Sequence, residues 1–109
     1  MIEQRRTQRF QLRLPLCIQR SGASTVSAAG ETVNVSSRGV LFTSDRRLEV
    51  GESVEYTISF PPVAGSVEST ELHCLGKVLR YEGSVSDPER SAKLYVMAAT
   101  LERHEFVRM

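Results

Sequence analysis

The sequence predicts an all-β domain: a small antiparallel barrel of about six strands, followed by a short C-terminal helix. Three observations carry that expectation. Apolar residues recur with period two in several separate runs, the pattern of strands with one face buried. The connections between runs are short and rich in Gly, Pro, Ser and Asp, which suits antiparallel neighbours rather than helical crossovers. The chain has 109 residues, 40% hydrophobic and 25% charged, enough for one domain with one modest core. Closure into a barrel would leave few strand edges exposed.

The first run starts at Phe10, with apolar residues at 10, 12, 14, 16 and 18. Pro15 falls on its polar face and predicts an edge position or a bulge. Residues 21–30 are mostly Ser, Gly, Ala and Thr and read as a hairpin loop or frayed strand tips. Val33 and Val35, then Val40 to Phe42, read as two short strands joined by a tight turn. There Gly39 supplies either positive φ or a close backbone approach. Leu48 to Gly51 is a connector with a turn. Val54, Tyr56, Ile58 and Phe60 alternate in the next strand, which Pro61-Pro62 stops. Thr70 to Tyr81 places Leu72, Cys74, Gly76 and Val78 on one face, and His73, Leu75, Lys77 and Leu79 on the other, so both faces read as partly covered. Residues 82–90 read as a solvated turn and Ala92 to Ala99 as the final strand. Thr100 is placed to cap a two-turn helix over 100–108. The organisation expected is a flexible lead-in over 1–9, a barrel over 10–99 and a helix over 100–108.

Charge is distributed unevenly. The net charge is +1, yet the first twenty residues hold five arginines against Glu3 alone. Three of the arginines form the run Arg5-Arg6-Thr7-Gln8-Arg9. No stretch approaches the roughly 18 apolar residues of a membrane span. Residues 3–13 lack the apolar region of a secretory leader, so a cytoplasmic protein is expected. Cys17 and Cys74 lie far apart with no CxxC, which argues against zinc and for buried or half-buried free thiols. His73, His104, Asp45 and Glu49 form no ligand set, and no Ser/His/Asp grouping has triad spacing. An enzyme is not expected, since a small filled barrel seldom offers a concave pocket.

Two segments carry the chemistry. Arg5 and Arg9 can present two planar forks from a lead-in that curls around a ligand, with Arg6 and Arg13 nearby. Such forks bind phosphate bidentately or stack on a purine. In Asn34-Val35-Ser36-Ser37-Arg38-Gly39, Asn34 and Ser36 share a strand face and can bond a base edge or a phosphate. Arg38 adds a cation and Gly39 permits close approach. Each segment also has an ordinary reading, as a solvated basic tail and as an Asn/Ser-rich turn. Together they suit a phosphate-bearing nucleotide.

The pair resembles the signature of the PilZ domain, a bacterial receptor module for cyclic di-GMP, whose pattern is Arg-x-x-x-Arg followed by Asp/Asn-x-Ser-x-x-Gly. Arg5 and Arg9 match the first element; Asn34, Ser36 and Gly39 match the second. Leu14-Pro15-Leu16 and Gly76-Lys77-Val78-Leu79-Arg80 are also similar to the family. The resemblance implies a six-stranded antiparallel split barrel with a C-terminal helix. It implies cyclic di-GMP as ligand, with Arg5 and Arg9 over its phosphates and guanine, Asn34 and Ser36 at a guanine edge, and Gly39 holding the turn. Gln4 stands where the family often has Arg, which points to one bound nucleotide or a weaker two-nucleotide stack. Ser91 to Ala98 is less typical, with Lys93 and Tyr95 as possible borders of the ligand. A module of this kind has no output domain. A protein partner in motility, exopolysaccharide or attachment control is therefore implied, with no nucleic-acid polymer. The alternatives are a ligand-free module of the same fold that works by protein contacts, and a small RNA-binding barrel. The latter would interleave exposed aromatics with its basic residues, whereas most of the seven Phe and Tyr here fall in core phase.

Overall fold

The computed structural model describes residues 11–62, 64–65, 67–89 and 92–108. Within them lie seven strands: β1 (Pro15–Ser21), β2 (Ser24–Val35), β3 (Gly39–Ser44), β4 (Ser53–Phe60), β5 (Thr70–Asp87), β6 (Ala92–Thr100) and β7 (Arg103–Arg108). All pair antiparallel, in the order β4-β1-β2-β3-β6-β5-β7. β4 also pairs with β5, an arrangement consistent with a split barrel.

The core is what the alternation predicts. Leu16 and Ile18 of β1, Val40 and Phe42 of β3, Val54, Tyr56 and Ile58 of β4, Leu72, Cys74 and Val78 of β5, and Met97 and Ala99 of β6 are buried together. The Phe42 and Tyr56 rings stack with centroids 6.3 Å apart. The Tyr56 hydroxyl donates to the Thr100 carbonyl at 3.0 Å, which satisfies its one polar atom.

Six expectations are corrected. The first strand begins at Pro15 instead of Phe10, which lies outside the described residues. Pro15 is neither at a sheet edge nor in a bulge. It is the first residue of a strand flanked by β2 and β4, where a missing N–H is tolerated, and the register shift falls between Ile18 and Arg20. Residues 24–30, read as a hairpin loop or frayed strand tips, belong to the body of β2. Gly22, with φ 61°, opens the hairpin turn that joins β1 to β2. Their inward positions are small for a reason: a Cβ on Gly30 would stand 1.7 Å from the Thr43 carbonyl oxygen. The solvated turn expected at 82–90 is strand as far as Asp87, because β5 and β6 continue as a paired ribbon past the rest of the sheet. Cys17 is exposed, pointing outward between buried Leu16 and Ile18, whereas Cys74 is buried; both thiols are free.

The sixth correction is the C-terminal helix, which is replaced by β7. Two helical turns have poor nucleation energetics. The free side of β5 from Thr70 to Leu75 offers instead a ladder of backbone partners, which residues 103–108 take up. Thr100, expected to cap a helix, accepts the Lys77 N–H at 2.8 Å and donates to Glu102 at 2.8 Å. No helix is long and apolar enough to cross a membrane among the described residues.

Candidate ligand-binding surface

The Asn34–Gly39 segment runs from the end of β2 through the turn at Ser36–Arg38 to the first residue of β3. The Ser36 N–H donates to the Gly39 carbonyl at 2.9 Å. The Ser36 hydroxyl accepts from the N–H groups of Arg38 and Gly39, both at 3.2 Å, and donates to the Gly39 carbonyl at 3.2 Å. This serine-centred turn raises Arg38 at its tip. The Arg38 carbonyl accepts from the Leu101 N–H at 2.8 Å, which ties the tip to the β6–β7 connector. Among the described residues the Arg38 guanidinium has no carboxylate partner. Gly39 is not a positive-φ residue. Its role is close approach: a Cβ there would lie 2.8 Å from the Ala99 carbonyl oxygen.

Asn34 owes its direction to an irregularity. Thr32 pairs with Phe42, both buried, but Asn34 pairs with Leu41 after a register shift. One extra residue, Val33, reverses the alternation, so Asn34 leaves the inward phase of Thr32. Leu41 pairs in turn with Ala98 of β6, and Ala98 with Arg80 of β5. A cross-strand row therefore runs Asn34, Leu41, Ala98, Arg80. Asn34, Ser36, Arg38 and Gly39 line one side of a small open cavity of about 160 Å³, with Leu79 and Arg80 on the other. Ligand pockets typically run from roughly 300 to 1,000 Å³. The cavity is thus a floor and two walls, short of a full enclosure.

The buried Thr32 hydroxyl fixes where the N-terminal segment reaches this surface. It donates to the Leu12 carbonyl and accepts the Leu14 N–H at 2.9 Å. The Thr32 N–H also donates to the Leu14 carbonyl at 2.9 Å. Residues 12–14 thereby lie along β2, two positions from Asn34. Arg9 precedes Leu12 by three residues, an extended reach of about 10 Å.

Of the residues singled out from sequence, Asn34, Ser36, Arg38 and Gly39 are brought together. Arg5, Arg6 and Arg9, with Gln4, lie outside the described residues. Lys93 and Tyr95 do not line the cavity. They belong to a separate ladder in which Lys93 sits 5.9 Å over Tyr95, Tyr95 packs on Tyr81, and Arg47 lies 4.1 Å over Tyr81. Leu41, Leu79, Arg80 and Ala98 were missed, because residue spacing alone does not reveal the bulges that aim them.

The rest of the molecule offers weaker sites. An open groove of about 570 Å³ on β1, β4, β5 and β7 is larger. Its Glu55, Glu71, His73, Arg103 and Glu105 mix both signs of charge and give no single field for an anion. Among the described residues no group of His, Cys, Asp and Glu converges to hold a metal. Tyr56 and Cys74 carry the perturbed pKa values. Burial, then the neighbouring Cys74, pushes the Tyr56 phenol well above its usual range. Burial pushes the Cys74 thiol up to about 12, against a smaller downward pull from the Tyr56 hydrogen bond. Both groups are core residues away from the cavity, so their shifts report packing and not chemistry.

The sequence matches the family model of the PilZ domain over residues 3–96. No curated protein and no solved structure matches the chain.

Proposed function

Because the chain belongs to the PilZ domain family, we propose that it is a cyclic di-GMP receptor and adaptor, without catalysis of its own. The observation that carries the reading is the gathering of Asn34, Ser36, Arg38 and Gly39 around one shallow cavity, beside the point where the arginine-bearing segment joins the sheet. Asn34 offers an amide to a base edge and Arg38 faces a phosphate, while Ser36 holds the turn that sets both in place. Arg5 and Arg9, with Arg6 beside them, close over the ligand from above and supply the wall that the 160 Å³ floor lacks. Ligand-induced ordering of residues 1–9 is the proposed signal, read by a protein partner.

Isothermal titration with cyclic di-GMP tests this. Wild-type protein is expected to bind. Arg5→Ala, Arg9→Ala and Asn34→Ala should each weaken binding at least about tenfold, as loss of a charged or bidentate hydrogen bond does. Arg20→Ala should not, since Arg20 pairs with Glu55 at 3.5 Å near the opposite end of β1. Hydrogen exchange at residues 5–9 should slow on binding. Absence of heat at high micromolar ligand would sink the proposal.

A further inference from the structure

Arg80 is the far wall of the cavity. It stands outward through a second irregularity: Val78 pairs with Ala99, and Arg80 pairs with Ala98, leaving Leu79 as an extra residue. Val78 is buried, and strict alternation would send Arg80 inward after it. The bulge at Leu79 turns Arg80 onto the row that the bulge at Val33 gives Asn34. Two independent bulges thus aim two polar side chains at the two ends of one apolar floor, Leu41 and Ala98. Bulges are enriched where a strand must redirect a functional side chain.

The guanidinium is not idle in this state. Its Nε donates to Glu82 two residues along the same strand, and both side chains are accessible, at 56% and 37%. An exposed pair of this kind is weak and readily exchanged.

We propose that Arg80 is a contact for a ligand phosphate, and that Glu82 is its intramolecular competitor, displaced when the phosphate arrives. The proposal rests on the cyclic di-GMP reading and extends it to a residue opposite the Asn34–Gly39 turn. A guanidinium released from one carboxylate can present its fork to a phosphate. The Glu82 carboxylate opposes binding twice, by holding the cation and by repelling the anion.

Titration of cyclic di-GMP into five proteins decides the matter: wild type, Arg80→Ala, Arg80→Lys, Glu82→Gln and the Arg80→Ala/Glu82→Gln double variant, each first checked for an unchanged thermal midpoint. Arg80→Ala is expected to weaken binding about tenfold or more. Glu82→Gln is expected to tighten it about two- to fivefold, and to keep only a smaller gain in the Arg80→Ala background, where relief of anion repulsion remains but there is no Arg80 to release. Arg80→Lys should recover only part of the affinity, since a point charge lacks the fork. Binding by Arg80→Ala equal to wild type overturns the proposal while leaving the receptor reading intact. An equal gain from Glu82→Gln in both backgrounds overturns the competitor role. No binding by wild type ends both readings.

Discussion

Thr32→Val separates anchoring of the N-terminal segment from contact with ligand. Thr32 is fully buried, so it cannot touch a bound nucleotide. Its hydroxyl nevertheless joins the Leu12 carbonyl and the Leu14 N–H to β2. Valine keeps the shape and removes both bonds. At about 0.5–1.5 kcal/mol for each hydrogen bond, the loss is about 1–3 kcal/mol. The lower half of that range is expected, because the two freed backbone groups are only part-buried and can reach water. Thermal unfolding should then drop by about 4–8 °C per kcal/mol, and the denaturant midpoint should fall with an unchanged slope. The chain before Leu12 carries the arginines, so loosening this anchor also reduces the fraction of molecules poised to bind. Cyclic di-GMP affinity should fall about fivefold, the low end of what 1–3 kcal/mol of coupling allows. Thr32→Ser keeps the hydroxyl, so it should lose stability through the missing methyl yet bind like wild type. Wild-type stability and affinity in Thr32→Val would refute the reasoning. Equal loss of affinity in Thr32→Ser and Thr32→Val would show that packing, and not the two hydrogen bonds, sets the anchor.

Other perturbations read other parts of the structure. Gly39→Ala puts a Cβ 2.8 Å from the Ala99 carbonyl oxygen and must push β3 from β6. A cost of about 1–3 kcal/mol in chemical denaturation is expected, together with weaker ligand binding. One thiol per chain, Cys17, should react promptly with an aromatic disulfide reagent, and two after denaturation; prompt reaction of both would contradict the burial of Cys74. Stability should fall under alkaline conditions. Burial pushes the Cys74 thiol from its ordinary 9.0 up to about 12 in the folded chain. Between those values the native state holds the proton that the unfolded state has lost, so the stabilisation present below pH 9 drains away towards pH 12. Tyr56 is shifted in the same direction from 10.0. Denaturation midpoints across this window should decline less steeply in Cys74→Ala than in wild type.

The legible parts of the fold are those where burial is one-sided and side chains are large. β4 alternates Val54, Tyr56 and Ile58 with polar residues, the first half of β5 places Leu72, Cys74 and Val78 on one face, and each of these lands in the core. The other face of β5 is more open, with Leu75 and Leu79 standing 41% and 51% exposed. β2 was hidden because close backbone crossing requires Gly30 and small neighbours, which remove the hydrophobic signal. The end of β5 was hidden because a two-stranded ribbon with solvent around it tolerates Ser and Gly. β7 was misread because its partner, the Thr70–Leu75 side of β5, is distant in sequence. The same limit applies to the cavity. Asn34, Ser36, Arg38 and Gly39 are one contiguous turn and could be found by spacing. Arg80 joins them only through the β2-β3-β6-β5 registers.

By itself the sequence determined an all-β chain, its main core residues, the arginine concentration at one end, and both halves of the PilZ signature. These are local properties: side-chain period, turn chemistry and charge per residue. The tertiary structure alone decided that the C-terminal segment is a strand, that Thr32 fastens residues 12–14 beside Asn34, and that bulges at Val33 and Leu79 turn Asn34 and Arg80 to the same face. Those outcomes depend on which backbone groups remain unpaired once distant strands meet. A single inserted residue reverses a strand's faces without altering its composition.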